Sequence, residues 1–170
     1  MPEKKTIERA RRDKQQGKSA STQAGEFVRE EMHHIREGKH GARSTKQAIA
    51  IGLSQARRAG VDLPAPKKGK TTERTRQSAE RARRQGQTEG PKHKPSARRS
   101  RAIENALKRE NKTAASHEAL SKQARSAARG RTAAERSAAA QKAVRTKGKA
   151  GRSRAARKAA RTRAAHASRG

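Results

Sequence analysis

Residues 21–64 read STQAGEFVREEMHHIREGKHGARSTKQAIAIGLSQARRAGVDLP, and this stretch decides the fold. It holds the chain's single aromatic residue, Phe27, and its densest set of large apolar side chains. Ala24, Phe27, Val28, Met32 and Ile35 recur at spacings of three and four, which puts them on one face of a helix. Thr22 is the expected N-cap, its hydroxyl meeting an orphan N–H of the first turn. Gly38 is the expected stop, since glycine takes the left-handed conformation that closes a helix. After a turn over residues 39–43, Ser44 with Gln47 forms a capping box. Ala48, Ile49, Ile51, Leu53 and Ala56 then carry a second helix to Gly60, and Pro64 and Pro66 forbid its continuation. The first helix bears Glu26, Glu30, Glu31 and Glu37; the second bears Lys46, Arg57 and Arg58, with Arg43 just ahead. The two are expected to attract each other, at about 0–1 kcal/mol per exposed pair.

The expected fold is therefore all-α: a small helical hairpin over about 22–60, a short N-terminal helix before it and a long basic tail after it. Four segments follow. Residues 1–21 form a basic arm whose helix is capped by Thr6 and ended by Gly17, and which frays because only Ile7 anchors it. Residues 22–63 are the hairpin. Residues 64–96 are a basic linker bracketed by Pro64 and Pro66 at one end and Pro91 and Pro95 at the other. Its one helix, 72–85, is stopped by Gly86 and has no large apolar residue with which to pack. Residues 97–170 are low in complexity, built from Ala, Arg, Lys and Ser. A hairpin this small usually needs a metal, a disulfide or a partner chain. There is no cysteine, so pairing of two hairpins into a homodimer is expected.

Residues 64–170 hold thirty-two Lys and Arg against seven acids, and carry most of the chain's net charge of +31. Mutual repulsion is expected to keep the tail mostly disordered when free, with Ala/Arg-rich helical pieces. Those pieces are placed by their punctuation: one from Ser96 or Ser100 through Glu110, one from Ser116 to Gly130, one from the Thr132/Glu135 capping box to Gly148, and one over 155–167.

Each cation that neutralises a phosphate releases a condensed counterion, so binding by such a tail follows charge rather than base sequence. Arginine adds bidentate phosphate contact. The expected function is non-enzymatic, histone-like nucleic-acid binding. The contact set is Arg43, Lys46, Arg57 and Arg58 at the edge of the second hairpin helix. In the tail it is Arg98, Arg99, Arg101, Lys108, Arg109, Arg125, Arg129, Arg131, Lys142, Arg145, Lys147, Lys149, Arg152, Arg154, Arg157, Lys158, Arg161 and Arg163. Sequence-tolerant single-strand binders stack bases on aromatic rings, and this chain has one aromatic residue, placed in the core. Double-stranded DNA is therefore expected ahead of RNA. Two other readings stand beside this one: a hairpin that recognises a protein, with the tail adding nucleic-acid avidity, and an RNA- or ribosome-associated protein.

Other motifs point to less. QAIAIGLS at 47–54 resembles the middle of a helix-turn-helix, but Arg58 falls where an apolar residue is required. The expectation is one continuous helix with Gly52 at a close helix–helix contact. His33, His34 and His40 with Glu30 and Glu37 lack any HExxH spacing and are taken as an exposed polar face, so no metal and no cofactor are expected. Gly69-Lys70-Thr71 lacks the earlier glycine and preceding strand of a P-loop. No catalytic grouping and no small-molecule substrate are expected. No apolar run is long enough for a membrane span, and a cytoplasmic protein is expected.

The hairpin stretch resembles a family of uncharacterised bacterial proteins bearing a short domain of unknown function. RRSRAIENALKRE (98–110), AASHEALSKQARSAARGRTAAERSAAA (114–140) and AGRSRAARKAARTRA (150–164) look like the Ala/Arg-rich, histone-like tails that follow it there. Such proteins are often labelled DNA-binding or plasmid-stabilisation proteins. The resemblance implies a bacterial protein associated with the nucleoid.

Overall fold

The structure, a computed structural model, describes residues 2–88 and 96–167. The linker's second proline bracket, residues 91–95, lies outside them. Among the described residues there are seven α-helices: α1 Lys4–Gln15, α2 Ala20–Arg36, α3 Thr45–Arg58, α4 Glu73–Gln87, α5 Ala97–Lys108, α6 His117–Arg129 and α7 Ala133–Ala167, with a 3-10 turn at Lys112–Ala115 before α6. The chain divides into two units, Met1–Gln123 and Ala124–Gly170.

The first unit is organised on α2 and α3, which run antiparallel. Ser44 accepts from the Gln47 amide at 3.2 Å, and the Gln47 side chain accepts from the Arg43 amide at 2.8 Å. Gly38 and Gly60 end the two helices at φ 80° and 90°. α2 begins two residues ahead of Thr22, with Ser19 at its N-cap position. α3 is continuous, and Gly52 lies where the helices cross: a Cβ there would stand 2.7 Å from the Val28 Cα.

The apolar residues make two cores, one near each end of the hairpin. Phe27, Ala24, Ala56 and Val61 pack with Ala10 and Ile7 of α1. Met32, Ile35, Ala42 and Ala48 pack with Ala114 and Ala115 of the 3-10 turn and with Leu120 of α6. The covering a bare hairpin lacks is thus supplied by its own chain. α1 does not stand on Ile7 alone, because Thr6 and Ala10 are buried and Arg9 meets Glu26 at 2.6 Å. Thr6 sits inside this helix rather than capping it, its hydroxyl accepting from Arg9.

Residues 107–120 are part of the folded unit. The Gly41 amide donates to the Leu107 carbonyl at 2.8 Å and the Ala42 amide to Asn111 at 3.0 Å. Thr45 donates to the Ala114 carbonyl at 2.7 Å and Arg36 to Ala115 at 2.8 Å. α4 also packs, contrary to expectation. Ala82 is buried, Arg83 meets Asp62 at 2.6 Å, and Gly86 lies inside the helix with no room for a Cβ against the Arg57 carbonyl. Two small residues four apart let α4 approach without any large apolar side chain. Gly86→Ala is expected to cost about 1–3 kcal/mol, read as a lowered urea midpoint. An unchanged midpoint would mean α4 is undocked.

The tail is the largest correction. It is helical, not mostly disordered: α5, α6 and α7 cover most of residues 97–167. Alanine and arginine are among the best helix formers, and repulsion between exposed cations is screened beyond about 8 Å at physiological salt. Starts are capped: Ser116 accepts from the Ala119 amide, and Thr132 and Glu135 bond each other's amides reciprocally at 2.9 and 3.1 Å. α7 is interrupted once, at Gly148, where φ 61° and ψ 179° leave the helical region.

Candidate functional site

Every cation of the expected contact set except Arg57 is exposed. Arg57 is buried, and its guanidinium donates to the carbonyls of Leu63 at 3.2 Å, Pro64 at 3.1 Å and Leu53 at 3.4 Å. It straps residues 61–64 to the end of α3 and is withdrawn from the contact set. Burial lowers its pKa from the usual arginine value. Arg57→Ala is expected to cost about 2–3 kcal/mol, since a buried side chain and its three hydrogen bonds from a charged donor are lost. Arg58→Ala should stay within about 0.5 kcal/mol of wild type. Equal urea midpoints for the two variants would refute the strap.

Arg58 is also part of a concave site that sequence reasoning missed. With Arg74, Ser78, Arg81, Ala82 and Gln85 it lines a cavity of about 340 Å³ between α3 and α4. Three arginines converge there only because Ala82 and Gly86 bring α4 against α3. The signal in the sequence was that small-residue spacing. Among the described residues of the second unit the cations lie on α6 and α7, apart from Arg131 between them. At 100° per residue, Arg154, Arg157, Lys158 and Arg161 fall within about a 100° arc of α7.

A second cluster forms where α2, its C-terminal turn and the start of α1 meet. Glu30 and Glu31 are buried, at 5% and 1% exposure, and do not face the cations of α3. The Glu30 Oε1 accepts from the Glu3 amide at 2.6 Å, and the Glu31 Oε2 accepts from Gln55 at 3.2 Å. Glu30 Oε2 and Glu31 Oε1 are buried with no hydrogen-bond partner. His40 Nε2 stands 3.6 Å from Glu31 Oε1, and His34 Nε2 lies 3.1 Å from Glu3 Oε1 and 3.9 Å from Glu30 Oε1. Burial raises the Glu31 pKa, and His40 and His34 oppose the rise. Glu3 is lowered by its hydrogen bonds to His34 and Lys39. By contrast His33 pairs with Glu37 at 3.0 Å on the surface. The expectation of an exposed polar face thus holds for His33 and not for His34 or His40, which are largely covered. The sequence signal was Glu31 itself, which sits in register with the apolar stripe of Phe27, Val28, Met32 and Ile35.

No helix among the described residues is long and apolar enough to cross a membrane. No curated protein and no solved structure matches the chain. Residues 11–68, which run from within α1 through α2 and α3 and stop short of the helices carrying most of the charge, match a Family of unknown function (DUF6496).

Proposed function

We propose that the protein is a non-enzymatic, sequence-independent binder of double-stranded DNA that acts by neutralising phosphates. The observation that carries this reading is the charge of residues 124–170: fifteen Lys and Arg against the single acid Glu135. One acid offsets one of these charges, so the segment keeps an excess of fourteen positive charges. Thirteen of these cations ride on α6 and α7, so their contact with phosphate does not first have to order the chain. The arginine-lined cleft between α3 and α4 adds a second cationic surface to the first unit. Duplex is preferred over single strands because base stacking needs exposed aromatic side chains, and the one Phe is fully buried.

The test is a salt titration of affinity for random-sequence duplex DNA, with single-stranded RNA of equal charge in parallel. A log–log slope steeper than about −6 with duplex preferred is the expected result, each phosphate contact adding about −0.9. A slope shallower than about −2, or preference for RNA, would overturn the proposal.

A further inference from the structure

We infer that Glu31, His34 and His40 form a binding site for a divalent transition metal, of which Zn²⁺ is the best chemical fit. One ligand atom of each lies within 4.8 Å of the others. A tetrahedral zinc with bonds of about 2.0–2.1 Å holds its ligands about 3.3 Å apart. The 3.6 Å between His40 Nε2 and Glu31 Oε1 is close to that spacing, and too long for a good hydrogen bond.

The protonation pattern gives an independent reason. His40 Nδ1 lies 3.1 Å from the Gly41 carbonyl. A carbonyl oxygen can only accept, so Nδ1 carries a proton. Nε2 is then the nitrogen that faces Glu31 Oε1 at 3.6 Å, and in the neutral ring its lone pair is open to a cation. Glu31 is 1% exposed and its Oε1 has no hydrogen-bond partner. A buried, unpartnered carboxylate oxygen is costly, and a cation between Nε2 and Oε1 gives it a partner. A second-nitrogen hydrogen bond to a backbone carbonyl is also the usual outer contact of a metal-ligating histidine. Two imidazoles and one carboxylate, without thiolate, suit zinc better than calcium or magnesium, which prefer oxygen alone. His34 lies on α2 and His40 lies beyond Gly38, so the metal would staple the turn leading to α3 onto α2.

The test is calorimetric titration of Zn²⁺ into the tag-free full chain. One equivalent is expected to bind with Kd of about 1 µM or tighter and to raise the melting temperature of the wild type. His34→Ala, His40→Ala and Glu31→Gln should each weaken binding by about 10-fold or more. His33→Ala, which removes the exposed His33–Glu37 pair, should leave it unchanged. His40→Gln serves if the alanine variant does not fold, with helicity checked by circular dichroism. Absence of stoichiometric binding in the folded wild type, or equal losses on replacing His33 and His34, would overturn the site. The pair would then share a proton across 3.6 Å, or the metal would be an adventitious ion only.

Discussion

Phe27→Ala is expected to lower the stability of the Met1–Gln123 unit by about 3–5 kcal/mol. Domains of ordinary size have about 5–15 kcal/mol in total, so the variant should stand near its unfolding threshold at 37 °C. The reason is the position of the ring. Phe27 is fully buried and joins three parts of the unit: Ala10 and Ile7 of α1, Ala56 and Leu53 of α3, and Val61 and Leu63 of the strap beyond α3. Gly52 brings the α3 backbone against α2 beside it, so the surrounding helices cannot close over a missing ring without moving that crossing. Several of the neighbours are alanines, which do not reach into a cavity. Phe27→Leu keeps much of the volume and is expected to cost under about 1.5 kcal/mol. Urea unfolding followed by circular dichroism reads both. A loss below about 1 kcal/mol for the alanine variant would show that the ring does not join these elements.

The second large effect belongs to the surface of α7. Replacing Arg154, Arg157, Lys158 and Arg161 by Gln in the full chain is expected to weaken duplex DNA binding by about 10³-fold at 0.15 M salt. Four lost phosphate contacts make the log–log slope shallower by about 3.6, and that slope acting from 1 M down to 0.15 M gives the factor. Glutamine is a good helix former, so helicity should be unchanged. The substitutions remove only four of the chain's forty-six Lys and Arg. A loss confined to bulk charge would therefore be small. The comparison set Lys149, Arg152 and Arg163, which falls on the opposite arc of the same helix, separates the two cases. If that set costs as much, no face of α7 is preferred. If neither costs more than about 10-fold, α7 is not the phosphate-contacting surface.

These two effects lie in different units and rest on different physics. Phe27 acts through apolar area removed from water. The cations of α7 act through charge left in water. The proposed metal site sits between these regimes, because it depends on burying carboxylates that the apolar stripe carries inward. Glu31 is held on the core side of α2 by its register, and His40, arriving from the turn, faces its Oε1 at 3.6 Å.

Much of the local structure was legible in the residues themselves. The 3–4 spacing from Ala24 to Ile35, the Ser44 cap, the left-handed glycines at 17, 38 and 60, the Thr132/Glu135 box and the break at Gly148 are properties of short windows. Short windows carry helix propensity, capping and backbone freedom without help from distant residues. The basic character of the chain is likewise a count. What tertiary structure decided were relations across long separations. Ala114 and Ala115 close a core over Thr45 and Ile35, α4 docks through Ala82 and Gly86, and Arg57 turns inward to three carbonyls rather than outward to phosphate. Alanine and glycine give no hydrophobic signal large enough to announce such packing, and an arginine does not reveal from its neighbours whether unpaired carbonyls await it. Intrinsic propensity and caps, which the sequence displayed, outweighed the charge repulsion that argued for disorder in the tail. The meeting of His34 and His40 with Glu31 was hidden because the ligands are set by the path of a turn, and no residue spacing encodes that path.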